Sequence, residues 1–187
     1  MIILKSASEL ETMKVSGRIA AETLNMLKGK IRKGVQTAEL DRAAEEFIVS
    51  KKAKPAFKGY RGYAHTICVS INDQVVHGIP DGREIREGDL VSVDGGVAYD
   101  GFCGDTAATF PAGYIDEKSK KLMNVTEKSM YLGIEQAKPG NRIGDISHAV
   151  QSFVESHGYS VVRAFVGHGI GRTVHEDPQV PNHGDPG

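Results

Sequence analysis

The chain has 187 residues, 40% of them apolar and 25% charged, with a formal net charge of −1. That length supports one domain with a sizeable core, and the balance is that of a globular protein rather than a disordered or fibrous one. The near-neutral charge gives no basic surface for nucleic acid or anionic lipid, and no apolar run is long enough to cross a bilayer. Two cysteines, Cys68 and Cys103, are too few for a disulfide scaffold. With no signal-peptide pattern at the N-terminus, the expected compartment is the cytoplasm.

The elements follow from periodicity. Ser6 with Glu9 forms a candidate capping box before a helix running to about Leu27, whose inward stripe is Leu10, Met13, Gly17, Ala20, Leu24 and Leu27. A second helix is predicted from Thr37 to about Lys51, with Leu40, Ala44, Phe47 and Ile48 inward. A strand follows over His65 to Asn72. Two longer strands, Asp89–Tyr99 and Phe102–Phe110, flank Asp100-Gly101, a strong two-residue hairpin signal. A third helix spans about Asp116 to Ala137, closed by Pro139-Gly140, and a fourth spans Ile143 to His157 with Gly158 as its stop. The last predicted strand is Ser160–His168. Helices and hairpins without βαβ alternation make the fold class α+β, with an antiparallel or mixed sheet, in one domain over residues 1–187.

The hairpin carries the first chemical signal. A two-residue loop pairs Tyr99 with Phe102, Asp94 with Ala107 and Gly96 with Asp105. One face then holds Ser92, Asp94, Gly96, Ala98, Cys103, Asp105, Ala107 and Thr109, and the other holds valines and aromatics. Asp94 and Asp105 become diagonal neighbours with Cα atoms roughly 7–8 Å apart, too far for a direct hydrogen bond in most rotamers. Such a pair suits shared coordination of metal ions. Strand-end surface acids are the alternative, and geometry alone leaves both open. A bulged three-residue loop would shift one strand and change the face.

Three histidines stand beside glycines or turns: His77 in "VVHGIPDG", His168 in "VGHGIG" and His175 in "TVHEDP". Imidazole nitrogens are common partners of carboxylates around a metal. His148 and His157 read as ordinary helix residues. "GHGIGR" lacks the Lys-Ser/Thr ending of a phosphate loop and the glycine spacing of a dinucleotide fingerprint.

In order, "VVHGIPDG", "VDGG…DGFCGDTAATF" and "GHGIGRTVHEDPQVPN" resemble the methionine aminopeptidases of type I. The opening "ELETMKVSGRIAAETL" and "GVQTAELDRAAEEFI" resemble the same family, so the likeness covers essentially the whole chain. It implies the pita-bread (creatinase/aminopeptidase-like) fold, with a curved sheet carrying the site and helices behind it. It also implies removal of the initiator methionine from nascent proteins whose second residue is small. By motif, Asp94, Asp105 and His168 match three of five ligands of two divalent ions, which can be cobalt, manganese, iron or zinc. His77 matches a group on the scissile amide nitrogen, and His175 one on the carbonyl oxygen. Phe57, Tyr60, Tyr63 and Cys68 match the lining of the methionine pocket; Phe57 stands where some relatives have cysteine. The family's two glutamate ligands, one of which also acts as proton acceptor, would follow residue 187. The expectation is therefore a chain lacking the family's C-terminal portion, with one ion or none as the alternative to two. Expected partners are peptide N-termini and, as a candidate, the ribosome. A monomer is expected, with association through uncovered sheet edges as the alternative. Two further readings stay open: a non-catalytic pita-bread module that binds peptides or proteins, and a prolidase-like X-Pro peptidase.

Overall fold

A computed structural model describes all 187 residues. The chain divides into two compact units, one formed by residues 3–116 and 170–175, the other by residues 1–2, 117–169 and 176–187. No helix is long and apolar enough to cross a membrane.

The first unit begins with α1 (Ala7–Lys28) and α2 (Thr37–Ser50). Ser6 caps α1 in the expected reciprocal way: its hydroxyl accepts from the Glu9 amide while the Glu9 carboxylate accepts from the Ser6 amide. Ala20, Leu24 and Leu27 point inward as the periodicity requires. Leu10 does not; it is 47% exposed, because the buried stripe of α1 starts only at Ser16. The sheet comprises β1 (Lys54–Pro55), β2 (Ile67–Ile71), β3 (Leu90–Tyr99) and β4 (Phe102–Pro111), all paired antiparallel. A short 3₁₀ turn, Tyr60–Gly62, precedes β2. β4 runs along the whole of β3, so β2 and β1 share the opposite edge of β3.

The register of β3 and β4 is the one a two-residue loop dictates, with Tyr99 opposite Phe102, Asp94 opposite Ala107 and Gly96 opposite Asp105. Asp100 and Gly101 both adopt positive φ, as a primed turn demands. Val91, Val93 and Val97 are buried with Ile67, Val69 and Ile71 of β2 and with Leu24, Leu27, Leu40, Ala44 and Ile48 of the helices. Each of the valine, leucine and isoleucine side chains contributes about 1.5–3 kcal/mol by leaving water. α1 approaches β4 closely enough that a methyl group at Gly104 would stand 2.5 Å from the Gly17 nitrogen. The apolar face of the hairpin is thus covered by helices, and the polar face is left for chemistry.

The second unit contains α3 (Glu117–Gln136), α4 (Ile143–Ser156) and a small hairpin of β5 (Gly167–Gly169) and β6 (Glu176–Val180). Gly133 lets α4 approach α3; a methyl there would lie 2.8 Å from Val150. The predicted strand Ser160–His168 is a correction: only Gly167–Gly169 is strand, because only these residues find a ladder partner. Val162, Phe165 and Val166 are exposed despite their β-favouring side chains. β6 itself was not foreseen, since Glu-Asp-Pro-Gln-Val has neither alternation nor β-branched enrichment.

Candidate active site

Asp94 sits in a row across three strands, with Cys68 on one side and Ala107 on the other. Asp105 lies diagonally from it on the same face, opposite Gly96. Small neighbours keep this face open, and both carboxylates are half-buried. Phe57 lies against Gly96, where a methyl group would stand 2.5 Å from its ring. The aromatic ring therefore reaches the same face as the acids because position 96 has no side chain.

The Asp94 carboxyl is pushed up from the ordinary 3.8 to about 7. Burial is the largest cause, the charge of Asp105 the second, and a hydrogen bond with Asp105 the third. All three act in one direction. The two carboxyls therefore act on each other from diagonal positions of the hairpin. A pair of crowded, half-buried oxygen donors is electrostatically incomplete without a proton or a cation. A divalent ion fits this donor set, since it would replace the proton and offset both charges.

The loop carrying His77 is held by its neighbour. Gly78 accepts from the Val69 amide at 2.8 Å and donates to the Ser70 hydroxyl at 3.0 Å. A methyl group at Gly78 would collide with the Val69 carbonyl, so only glycine permits this approach. His77 is exposed and takes φ of 58°. A left-handed conformation in a non-glycine residue costs on the order of 1–3 kcal/mol and is typical of functional positions.

His175 closes the segment 170–175 that belongs to the first unit. The Gly171 carbonyl accepts from the Cys103 amide at 2.7 Å, and the Arg172 guanidinium lies over Phe102 while donating to Glu9 at 3.0 Å. The His175 ring stacks on Tyr60, and its Nδ1 stands 3.1 Å from the Tyr60 hydroxyl. The stack and the Nδ1 contact together fix the plane of the His175 ring.

Tyr63 and Cys68 form the adjoining wall. The Tyr63 hydroxyl donates to the Ile67 carbonyl at 2.9 Å. Burial, with a hydrogen bond to Cys68 second, raises the Tyr63 phenol far above its ordinary range, and burial likewise raises the Cys68 thiol. Both groups are neutral at physiological pH. A neutral phenol and thiol beside an aromatic ring make a soft, uncharged surface.

His168 lies on β5 in the second unit, half-buried, with Nδ1 2.9 Å from the Gly169 carbonyl. Gly167 and Gly169 allow β6 to lie close; a methyl at Gly167 would sit 2.9 Å from the Val180 carbonyl, and one at Gly169 would collide with that of Asp177. No three His, Cys, Asp or Glu side chains stand close enough together to hold an ion. What the structure gathers is the aspartate pair, with Cys68 beside it. The reasoning from sequence missed two supports of this region, Asp41 and the Glu9–Arg172 pair. All three residues lie in stretches quoted above, but no spacing there marks Asp41 or the Glu9–Arg172 pair as a support of the site.

The model of metallopeptidase family M24 matches residues 11–187. The chain belongs to this family. It is 54% identical over its full length to the methionine aminopeptidase of Clostridium perfringens, of which it covers 75%. The crystal structure of methionine aminopeptidase from Thermotoga maritima superposes over the whole chain with a TM-score of 0.98 at 45% identity, the chain covering 76% of it. A prolidase from Pyrococcus furiosus shares the fold, with a TM-score of 0.87 over 98% of the chain and 53% of its own, but only 24% identity. The M24 fold is thus the α+β architecture that the motifs implied, and the higher identity lies on the methionine aminopeptidase side.

Proposed function

We propose that the chain is a metal-dependent methionine aminopeptidase that releases the first methionine from proteins with a small second residue. The observation that carries this reading is the half-buried Asp94–Asp105 pair beside a neutral Phe57–Tyr63–Cys68 surface. The full-length likeness to enzymes of that name supports it. The proposed ligands are Asp94, Asp105 and His168, and the ion is manganese, iron, cobalt or zinc. When bound, divalent cations supply Lewis acidity that lets water attack a peptide carbonyl at neutral pH.

The remaining work falls to this chain's own residues. Phe57, Tyr60, Tyr63 and Cys68 receive the methionine side chain, because a thioether packs well against aromatic edges and sulfur. His175, its Nδ1 engaged by Tyr60, presents Nε2 to the substrate carbonyl and stabilises the charge that develops there. His77, fixed by the Gly78 clamp, contacts the amide nitrogen that leaves. Substrates are the N-termini of nascent proteins, met in the cytoplasm at the ribosome.

Incubation with a Met-Ala-Ser peptide and added manganese or cobalt tests this. Free methionine is expected, with none after chelation and none from Asp105→Ala. A chain that ignored this peptide but cleaved an X-Pro peptide would replace the reading with a prolidase-like one. A chain inert to both peptides would leave only the binding module.

A further inference from the structure

Asp41, within the stretch GVQTAELDRAAEEFI, touches neither the carboxylate pair nor a histidine assigned to the reaction. It nevertheless gathers three contacts onto one segment. From α2, its Oδ1 accepts from the Thr66 amide at 2.8 Å and the Ile67 amide at 3.0 Å, the first two donors at the entry of β2. Its Oδ2 stands 3.4 Å from Nδ1 of His65. The side chain of Asp41 is only 13% exposed, so these contacts operate with little competition from water.

The segment so held is the one that builds the pocket wall. The His65 ring meets the Tyr63 ring edge-on at 5.6 Å. Tyr63 in turn closes onto Ile67 through its hydroxyl, and Cys68 follows directly, opposite Asp94. One carboxylate therefore ties together the backbone between Tyr63 and Cys68 and buttresses the Tyr63 ring through His65. Thr66 shows how tightly this stretch is packed: it is fully buried and its hydroxyl finds no partner.

We propose that Asp41 is a positioning residue that, through His65 and the Thr66 and Ile67 amides, sets the Tyr63–Cys68 wall and with it the preference for an unbranched thioether side chain. This rests on the methionine aminopeptidase reading. Asp41 does not meet the substrate; it decides where the groups that do so stand. In Asp41→Asn an amide group replaces one carboxylate oxygen, so an N–H faces either the two amide donors, losing two of the three contacts, or His65, losing one.

Two measurements on the full chain test it. The first compares Asp41→Asn with wild type on Met-Ala-Ser and on the same peptide beginning with leucine. KM for the methionine peptide should rise about tenfold with kcat within about threefold, and selectivity over leucine should fall, as expected for loss of one buried charged hydrogen bond. The second needs no activity: the rate of Cys68 alkylation by iodoacetamide in the folded protein, with Cys103 as internal reference. Neither cysteine is in a disulfide, and both are buried. Cys68 should react about tenfold faster in the variant while Cys103 is unchanged, because only the wall has loosened. Equal acceleration of both thiols would mean a general loss of structure and would overturn the proposal, as would unchanged KM, selectivity and Cys68 rate. If Asp41→Asn fails to fold, His65→Ala, which removes the buttress alone, should show the same signs at smaller size; a wild-type profile would count against the proposal. A wild-type chain that releases no methionine would refute the underlying reaction, and the thiol rates would still decide whether Asp41 positions Cys68.

Discussion

Replacing Asp94 with asparagine should make the metal-free protein more stable at neutral pH, by an amount that grows with pH. The Asp94 carboxyl lies at about 7 in the folded chain against an ordinary 3.8. Below about pH 4 both the folded and unfolded forms hold the proton, and the group costs nothing. As pH rises the unfolded chain releases the proton while the folded one keeps it, so stability falls. Above about pH 7 the full cost is present. A span of about 3 pH units at about 1.4 kcal/mol each gives about 4 kcal/mol. Urea unfolding of wild type and Asp94→Asn with chelator, at about pH 4.5, 6 and 7.5, measures this directly. The variant should gain on wild type through that window and lead by up to about 4 kcal/mol at the top of it. A gap that stays constant or narrows with pH would refute the reasoning, because the penalty would then not arise from an ionising, half-buried Asp94.

Three further substitutions probe the supports of the site. Gly78→Ala drives a methyl group into the Val69 carbonyl, so the loop must move; a stability loss of about 1–3 kcal/mol is expected in chemical unfolding, with a larger fall in peptide cleavage because His77 moves with it. Thr66→Val replaces a fully buried, unpartnered hydroxyl with a methyl of the same shape. Its unfolding midpoint should be unchanged or raised, by up to about 1 kcal/mol in stability. Tyr60→Phe keeps the stack on His175 but removes the 3.1 Å hydrogen bond. Steady-state kinetics should show kcat lowered about tenfold, with the smaller effect on KM because the Tyr60 ring that meets the methionine side chain is kept.

Much of the first unit was legible because its signals are local. Asp100-Gly101 fixed the loop length, the loop length fixed the register, and the register placed Asp94 and Asp105 on one face away from Val91, Val93 and Val97. Ser6 and Glu9 marked the start of α1 for the same reason. Readings failed where a tertiary partner decides. Ser160–Val166 has a strand's composition but no ladder partner, while Glu176–Val180 has a poor composition and gains one from β5. Leu10 matched the helical period yet lies beyond the part of α1 that the sheet covers. Side-chain partnerships were equally hidden: nothing in the chain order connects Asp41 with Thr66 or Tyr60 with His175.

The claim that the polar face of the hairpin is a cation site is tested most directly by calorimetric titration of manganese into the chelator-stripped chain near pH 6.5, in two buffers of different ionisation heat. The account predicts saturable binding with proton release, since the Asp94 carboxyl at about 7 must give up its proton to the ion. It also predicts loss of that binding in Asp94→Asn and in Asp105→Ala. Heats no larger than dilution, or binding that survives both substitutions, would contradict it.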